Sequence, residues 1–251
     1  MPPVAVQLYS FGRVADRDWP AIFERIAAIG ITGLETVDVP GGDAAKARRW
    51  AADAGLTIAS AHTHAAPGTI ADDLDARIGR ISDLGVATVY TPSLTPADLA
   101  DAGTIGRTAA YLDEVGVLAA GHGVTFGVHN HEHEMAEIEG QRAYRWLLAR
   151  MDPAVVWEVD CYWATTGGVA PADLISELDG RVRAIHVKDG TGGREEPNVA
   201  LGDGDVDIVG SMAAAATSSS VAWAIIEFDT CATDVLAAVV RSYSYLASLT
   251  R

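Results

Sequence analysis

Acidic and imidazole side chains crowd the short motifs of this chain. The run His129-Asn130-His131-Glu132-His133-Glu134 is followed by Glu158-Val159-Asp160, His186-Val187-Lys188-Asp189 and Glu227-Phe228-Asp229. In an extended segment, residues two apart point the same way. Glu158 thus shares a face with Asp160, His186 with Lys188, and Glu227 with Asp229. The intervening Val159, Val187 and Phe228 are apolar and suit a packed layer on the opposite face. Carboxylates gathered without a cation would be forced to take up protons. One divalent metal ion removes that difficulty. A mixed carboxylate and imidazole set suits Mn²⁺, Zn²⁺, Mg²⁺, Fe²⁺ or Co²⁺ better than a thiolate metal site would. Cys161 and Cys231 are the only cysteines; they form no disulfide framework and read as packing residues.

These groups need elements to hold them. Short β-branched runs at Val4–Tyr9, Gly33–Val37, Thr57–Ala61, Ala87–Tyr90, Val124–Asn130, Val155–Asp160, Arg183–Lys188 and Ala222–Phe228 predict strands. Ala-rich amphipathic stretches follow each, at 18–29, 43–54, 72–84, 104–120, 141–150, 171–178, 206–216 and 234–248. Asp43, Asp72 and Asp234 are placed as N-caps and Pro171 in a first helical turn; Gly30, Gly55, Gly85 and Gly121 fall where a left-handed residue ends a helix. Repeated strand–helix units imply parallel strands joined by right-handed crossovers. The turn after the first strand, Tyr9-Ser10-Phe11-Gly12-Arg13, lacks the glycines of a dinucleotide-binding open sheet. At 251 residues the expectation is one (β/α)8 TIM barrel spanning 1–251. Its active site would lie at the C-terminal strand ends. Of the seven histidines, all but His122 fall there. So do Glu35, which has no evident partner in sequence and reads as a substrate contact, and His62 and His64, which read equally as pocket or satisfied polar groups. The long polar stretch Asp189–Asp207 reads as a lid.

The formal net charge of −16 opposes nucleic-acid binding, which draws on Lys and Arg to neutralise phosphates. No apolar stretch is long enough to span a membrane and the first residues do not resemble a signal peptide, so a cytoplasmic location is expected. A homo-oligomer is left open.

At these motifs, together with Glu158-Val159-Asp160-Cys161-Tyr162-Trp163 and Gly202-Asp203-Gly204-Asp205-Val206-Asp207, the chain resembles the sugar isomerase/epimerase branch of the xylose isomerase-like TIM barrels over essentially its whole length. The resemblance implies one metal held by Glu134, Asp160, His186 and Glu227, with Glu132 as the rival of Glu134. It implies that Glu134 and Glu227 move protons, with His131 as a further acid or base. Lys188 resembles a substrate contact, and Trp163, Tyr9 and Phe11 resemble walls for a sugar ring. Glu158, one position deeper, reads as a supporting carboxyl. The implied reaction is proton abstraction next to the carbonyl of a keto-sugar or related carbohydrate, giving isomerisation or epimerisation. The alternative is elimination of water or an aglycone from a keto-inositol or 3-keto-glycoside. Trp163 stands where the endonuclease relatives carry an extra histidine, and Gly140 and Gly192 stand where free-ketose 3-epimerases carry Glu and Arg.

Overall fold

The computed structural model describes residues 1–12, 18–67 and 74–249. Eight parallel strands close into a barrel: β1 (Val4–Gln7), β2 (Gly33–Val37), β3 (Thr57–His62), β4 (Thr88–Thr91), β5 (Thr125–His129), β6 (Val156–Asp160), β7 (Val182–Val187) and β8 (Trp223–Ile226). Each strand pairs with its neighbours in sequence and β8 returns to β1, so no edge is left open. All eight predicted strands are present, with ends shifted by a few residues at most. β1 stops two residues early, at Gln7, and turns into the 3₁₀ helix Leu8–Phe11, and β8 likewise ends two residues early, at Ile226.

The helices are α1 (Trp19–Ile29), α2 (Ala44–Asp53), α3 (Leu74–Ser82), α4 (Ala102–Gly121), α5 (Ala143–Leu148), α6 (Cys161–Thr166), α7 (Pro171–Glu177), α8 (Ile208–Thr217) and α9 (Val235–Ser248). Asp43 and Asp234 cap α2 and α9 as expected, accepting from Lys46 N and Ala237 N, and Pro171 opens α7. The cap assigned to Asp72 lies outside the described residues. Gly30, Gly55 and Gly85 have positive φ, but Gly121 still belongs to α4, and Gly123 (φ 76°) makes the left-handed step instead. Helix α6 was not expected. Its sequence, CYWATT, carries no amphipathic pattern, and it starts because Asp160 Oδ1 accepts from Trp163 N at 2.9 Å.

Alternation sorts the strand residues into two sets. Val159, Val187 and Phe228 join the large core between strands and helices, and so does Phe11, which is therefore not a pocket wall. Ala5, Ala59, Tyr90, Val156, Ala184 and Ile225 form a separate apolar plug inside the barrel. Tyr90 crosses this interior only because β5 carries Gly127 opposite it; a Cβ there would lie 2.6 Å from the tyrosine ring. Above the plug, inward side chains become polar, and the site begins. Among the described residues, no helix is long and apolar enough to cross a membrane.

Candidate metal centre and pocket

Two buried layers of charge sit on the apolar plug. The lower one holds Glu35, Ser60, His62 and Glu158, all nearly inaccessible to solvent. Glu35 accepts from Gln7 Nε2 at 2.8 Å and Ser60 Oγ at 2.5 Å, and meets His186 Nε2 at 2.6 Å. Glu158 Oε2 meets His62 Nε2 at 2.5 Å and His129 Nδ1 at 3.1 Å. Burial raises the Glu35 carboxyl, and the Glu158 charge raises it further. Burial also opposes the charge on Glu158, but His186 and His62 outweigh it and hold Glu158 well below the usual carboxylate range. Glu158 thus lies one layer deeper than Asp160, against His62 and His129. Glu35 lies in the same lower layer and is not among the residues that line the cleft.

The upper layer holds His129, Asp160, His186 and Glu227, whose candidate ligand atoms lie within 4.8 Å of one another. His186 Nδ1 meets Glu227 Oε2 at 2.7 Å, and His129 Nε2 lies 3.6 Å from Asp160 Oδ2. Asn130 clamps this region, accepting from Asp160 N at 2.9 Å and donating Nδ2 to Asp160 O at 3.3 Å. Lys188 Nζ stands 2.8–2.9 Å from Asp160 Oδ2, Glu227 Oε2 and Asp229 Oδ2. Burial disfavours the ammonium, but these three carboxylates carry Lys188 well above the ordinary lysine value. It stays a cation and does not serve as an amine nucleophile.

Asp160 Oδ2 accepts no hydrogen bond although it is buried, and the Lys188 contact lacks hydrogen-bond geometry. A buried carboxylate oxygen is costly unless a cation is matched to it, and Lys188 supplies one positive charge here against the three carboxylates Asp160, Glu227 and Asp229. Burial pushes Asp160 up to about 6 and His129 down to about 3, so His129 is a neutral imidazole at physiological pH. Neutral imidazoles and carboxylate oxygens are donors to a borderline or hard divalent ion. The cluster therefore fits a metal, and its buried His, Glu and Asp groups could hold one.

Of the four ligands implied by resemblance, three meet in this group: Asp160, His186 and Glu227. Glu134 does not. It sits in a 3₁₀ turn beyond β5, where Oε2 accepts from His131 N at 2.8 Å and Oε1 has no partner. Burial pushes Glu134 up to about 8. Its rival Glu132 is drawn outward into an ion pair with Arg194, whose guanidinium also touches His133. The fourth member, His129, was passed over in sequence. It was one of six histidines at strand ends, and only its register beside Glu158 on β6 singles it out.

Over this layer opens a cleft of about 660 Å³, including solvent at its mouth, lined by Tyr9, Val37, His64, Pro92, Ser93 and His131 with Glu227 and Asp229. Tyr9 and His64 both line it. Trp163 is buried against His131, with ring centroids 5.2 Å apart, and its Nε1 has no partner. Lys188 lies beneath the cleft and acts on its carboxylates. Burial, reinforced by His129 and Lys188, drives His131 far below the ordinary histidine value, so it is neutral. Burial opposes the charge on Glu227, but Lys188 and His186 hold it well below the usual range, so it is ionised. Among the described residues, no Arg or Lys lines the cleft.

The loop after β7 is tied to the rim through Asp229 and Tyr162. Asp189 accepts from the backbone of Gly190, Gly202, Gly204 and Val206 at 2.8–3.1 Å. Asn198 Oδ1 accepts from Asp229 N at 2.8 Å, and Tyr162 donates to Gly193 O at 2.7 Å.

None of the curated proteins matches the sequence. Solved structures do match its fold. A sugar phosphate isomerase/epimerase from Parabacteroides distasonis ATCC 8503 superposes with a TM-score of 0.84 at 19% identity, covering 98% of both chains. The probable 3-DHS dehydratase AsbF of Bacillus anthracis, involved in petrobactin synthesis, gives 0.78 at 13% identity over 98% of both chains. An L-ribulose 3-epimerase gives 0.74 at 16% identity over 99% of this chain and 94% of that one. The profile of the xylose isomerase-like TIM barrel family matches residues 18–239. With the closed barrel and the acidic–imidazole layer at its C-terminal mouth, that match establishes that the chain belongs to the xylose isomerase-like TIM barrel family.

Proposed function

We propose that this protein is a divalent-metal-dependent sugar isomerase or epimerase acting on a keto-sugar or related carbohydrate. The observation that carries this reading is the ionised Glu227 at the floor of the cleft, placed within the His129, Asp160 and His186 group. A bound divalent ion supplies Lewis-acid polarisation of a carbonyl and neighbouring hydroxyl. The protein supplies the proton chemistry. Glu227 accepts a proton from the carbon between those two groups, and the proton returns from Glu227 or from a second group across the ring. Lys188 keeps Glu227 ionised between turnovers, and Asp229, whose backbone N–H is held by Asn198 Oδ1, keeps Lys188 in place. Tyr9, Val37 and Pro92 offer apolar surface for a ring face. The absence of a lining cation among the described residues, with Lys188 already matched by three carboxylates, favours a substrate without phosphate. Structures named for isomerase, epimerase and dehydratase activity share the fold and are compatible with this reading.

A second reading is elimination of water or an aglycone from a keto-inositol or 3-keto-glycoside. It is favoured by Glu134, which keeps its proton up to about 8 and could protonate a leaving group. A panel of neutral keto-sugars and 3-keto-glycosides, followed by NMR in D₂O, separates the two. Exchange at one carbon without a second product supports epimerisation or isomerisation, and exchange with release of water or aglycone supports elimination. No exchange with any substrate, or full activity after chelation, overturns the proposal.

A further inference from the structure

Each of two histidines presents one ring nitrogen to the upper charged layer and the other to the lower one. His129 Nδ1 faces Glu158 Oε2 at 3.1 Å while Nε2 faces Asp160 Oδ2 at 3.6 Å. His186 Nε2 faces Glu35 Oε1 at 2.6 Å, and Nδ1 faces Glu227 Oε2 at 2.7 Å and Asp160 Oδ2 at 3.9 Å. The same two rings therefore belong to both candidate ion-binding groups, His62/His129/Glu158/His186 below and His129/Asp160/His186/Glu227 above.

We propose that the ion is bound by the upper group, with His129 Nε2 rather than Glu134 as the donor from the fifth strand, beside Asp160 Oδ2, His186 Nδ1 and Glu227 Oε2. The proposal rests on the metal-dependent reading above. Three observations support it. First, the four donors come from the C-terminal ends of four consecutive strands, β5 to β8, and His129 is the last residue of its strand; Glu134 lies beyond, in a turn whose backbone already engages one of its oxygens. Secondly, the lower carboxylates fix which way each ring is turned. Glu158 engages His129 Nδ1 and Glu35 engages His186 Nε2, which leaves His129 Nε2 and His186 Nδ1 as the nitrogens turned toward the upper group. The same bonds occupy the nitrogens that a lower ion would need. Thirdly, Asp160 Oδ2 faces both His129 Nε2 and His186 Nδ1, with Lys188 as its one ion-pair partner and no hydrogen bond, while its partner Oδ1 is fixed by capping α6. Glu35 and Glu158 then act as positioning residues, holding the two rings as ligands without touching the ion.

Mn²⁺ titration followed by EPR, with elemental analysis of the protein, tests this without a substrate. Changes to residues that support a ligand typically weaken metal binding by about 10–100-fold. His129→Ala and His129→Gln should weaken Mn²⁺ binding by at least about 100-fold, and Glu158→Gln by about 10-fold. Glu134→Gln should leave the affinity within about 3-fold of wild type. Circular dichroism establishes that each variant is folded. Pulsed EPR on the Mn²⁺-loaded wild-type protein needs no variant and should show couplings to two imidazole nitrogens. One nitrogen, or loss of binding in Glu134→Gln with His129→Ala unaffected, overturns the assignment. Three nitrogens place the ion in the lower group and also overturn it. A wild-type protein that binds no divalent ion is a separate outcome, which removes the metal-dependent reading itself.

Discussion

Single residues at the mouth of this barrel are held by neighbours of opposite charge, and their substitution separates structural from chemical roles. Lys188 is buried among Asp160, Glu227 and Asp229. Removing one partner of a buried ionic group leaves the others uncompensated, at a cost of about 3–5 kcal/mol. Lys188→Met in metal-free protein should lower the unfolding free energy by roughly that amount, and denaturant titration measures it. Glu227→Gln should be milder for stability but should reduce kcat on a substrate found by the D₂O screen by about 100-fold or more, as loss of a positioned base does. Glu134 predicts a pH dependence. Its carboxyl is raised from the ordinary value to about 8, so the folded chain holds more protons than the unfolded one between about 4.5 and 8. Its contribution is fully present below 4.5 and is lost as pH rises through 8, with a slope of up to about 1.4 kcal/mol per pH unit. Chemical denaturation of metal-free wild type and Glu134→Gln across pH 5–9 should show the variant gaining relative stability at the alkaline end. A parallel pair of curves would refute the assignment.

At the scale of elements, the strands were legible because a barrel strand must be apolar toward its helices, and Val159, Val187 and Phe228 mark that face unmistakably. The inward face was legible only in part. Alternation shows that Glu158 and Asp160 point the same way, but not that one lies beneath an ion site and the other beside it. Depth depends on the stagger between strands, which pairs Asp160 with His186 and His129 with Glu158. For the same reason Glu35 looked partnerless: Gln7, Ser60 and His186 reach it from three other strands. Helix α6 was hidden because its start is set by one Asp160 oxygen, not by a pattern of apolar residues. The loop after β7 was recognised as more than a connection, and its anchor is Asp189. Gly204 is required there: an added Cβ would lie 2.2 Å from Asp189 Oδ1 and 2.4 Å from Gly190 N. Gly204→Ala should therefore displace the loop, cost about 1–3 kcal/mol and speed proteolysis within Asp189–Asp207. Limited digestion with and without Mn²⁺ provides the readout.

For the whole molecule, the proposed metal binding carries a prediction for stability. An ion that binds the folded chain alone adds about 2.7 kcal/mol at a hundred times its dissociation constant, which for a chain this long raises Tm by about 5–10 °C. Calorimetry with Mn²⁺ and with chelator checks it, and identical melting curves would remove the metal from the account. The net charge of −16 has its own consequence: although some barrels of related architecture cleave nucleic acid, this one should show no measurable affinity for duplex DNA at physiological salt. The closed strand order also divides labour around the rim. On the proposed function, strands β5 to β8 carry the ion-binding and proton-moving groups, whereas Tyr9, Val37, His64, Pro92 and Ser93 follow or end the first four strands. Recognition and reactivity would then occupy opposite semicircles of one ring. Loops on the first semicircle can be exchanged to retarget the catalyst while the second is left untouched, which makes this barrel a divisible scaffold for selecting new substrates.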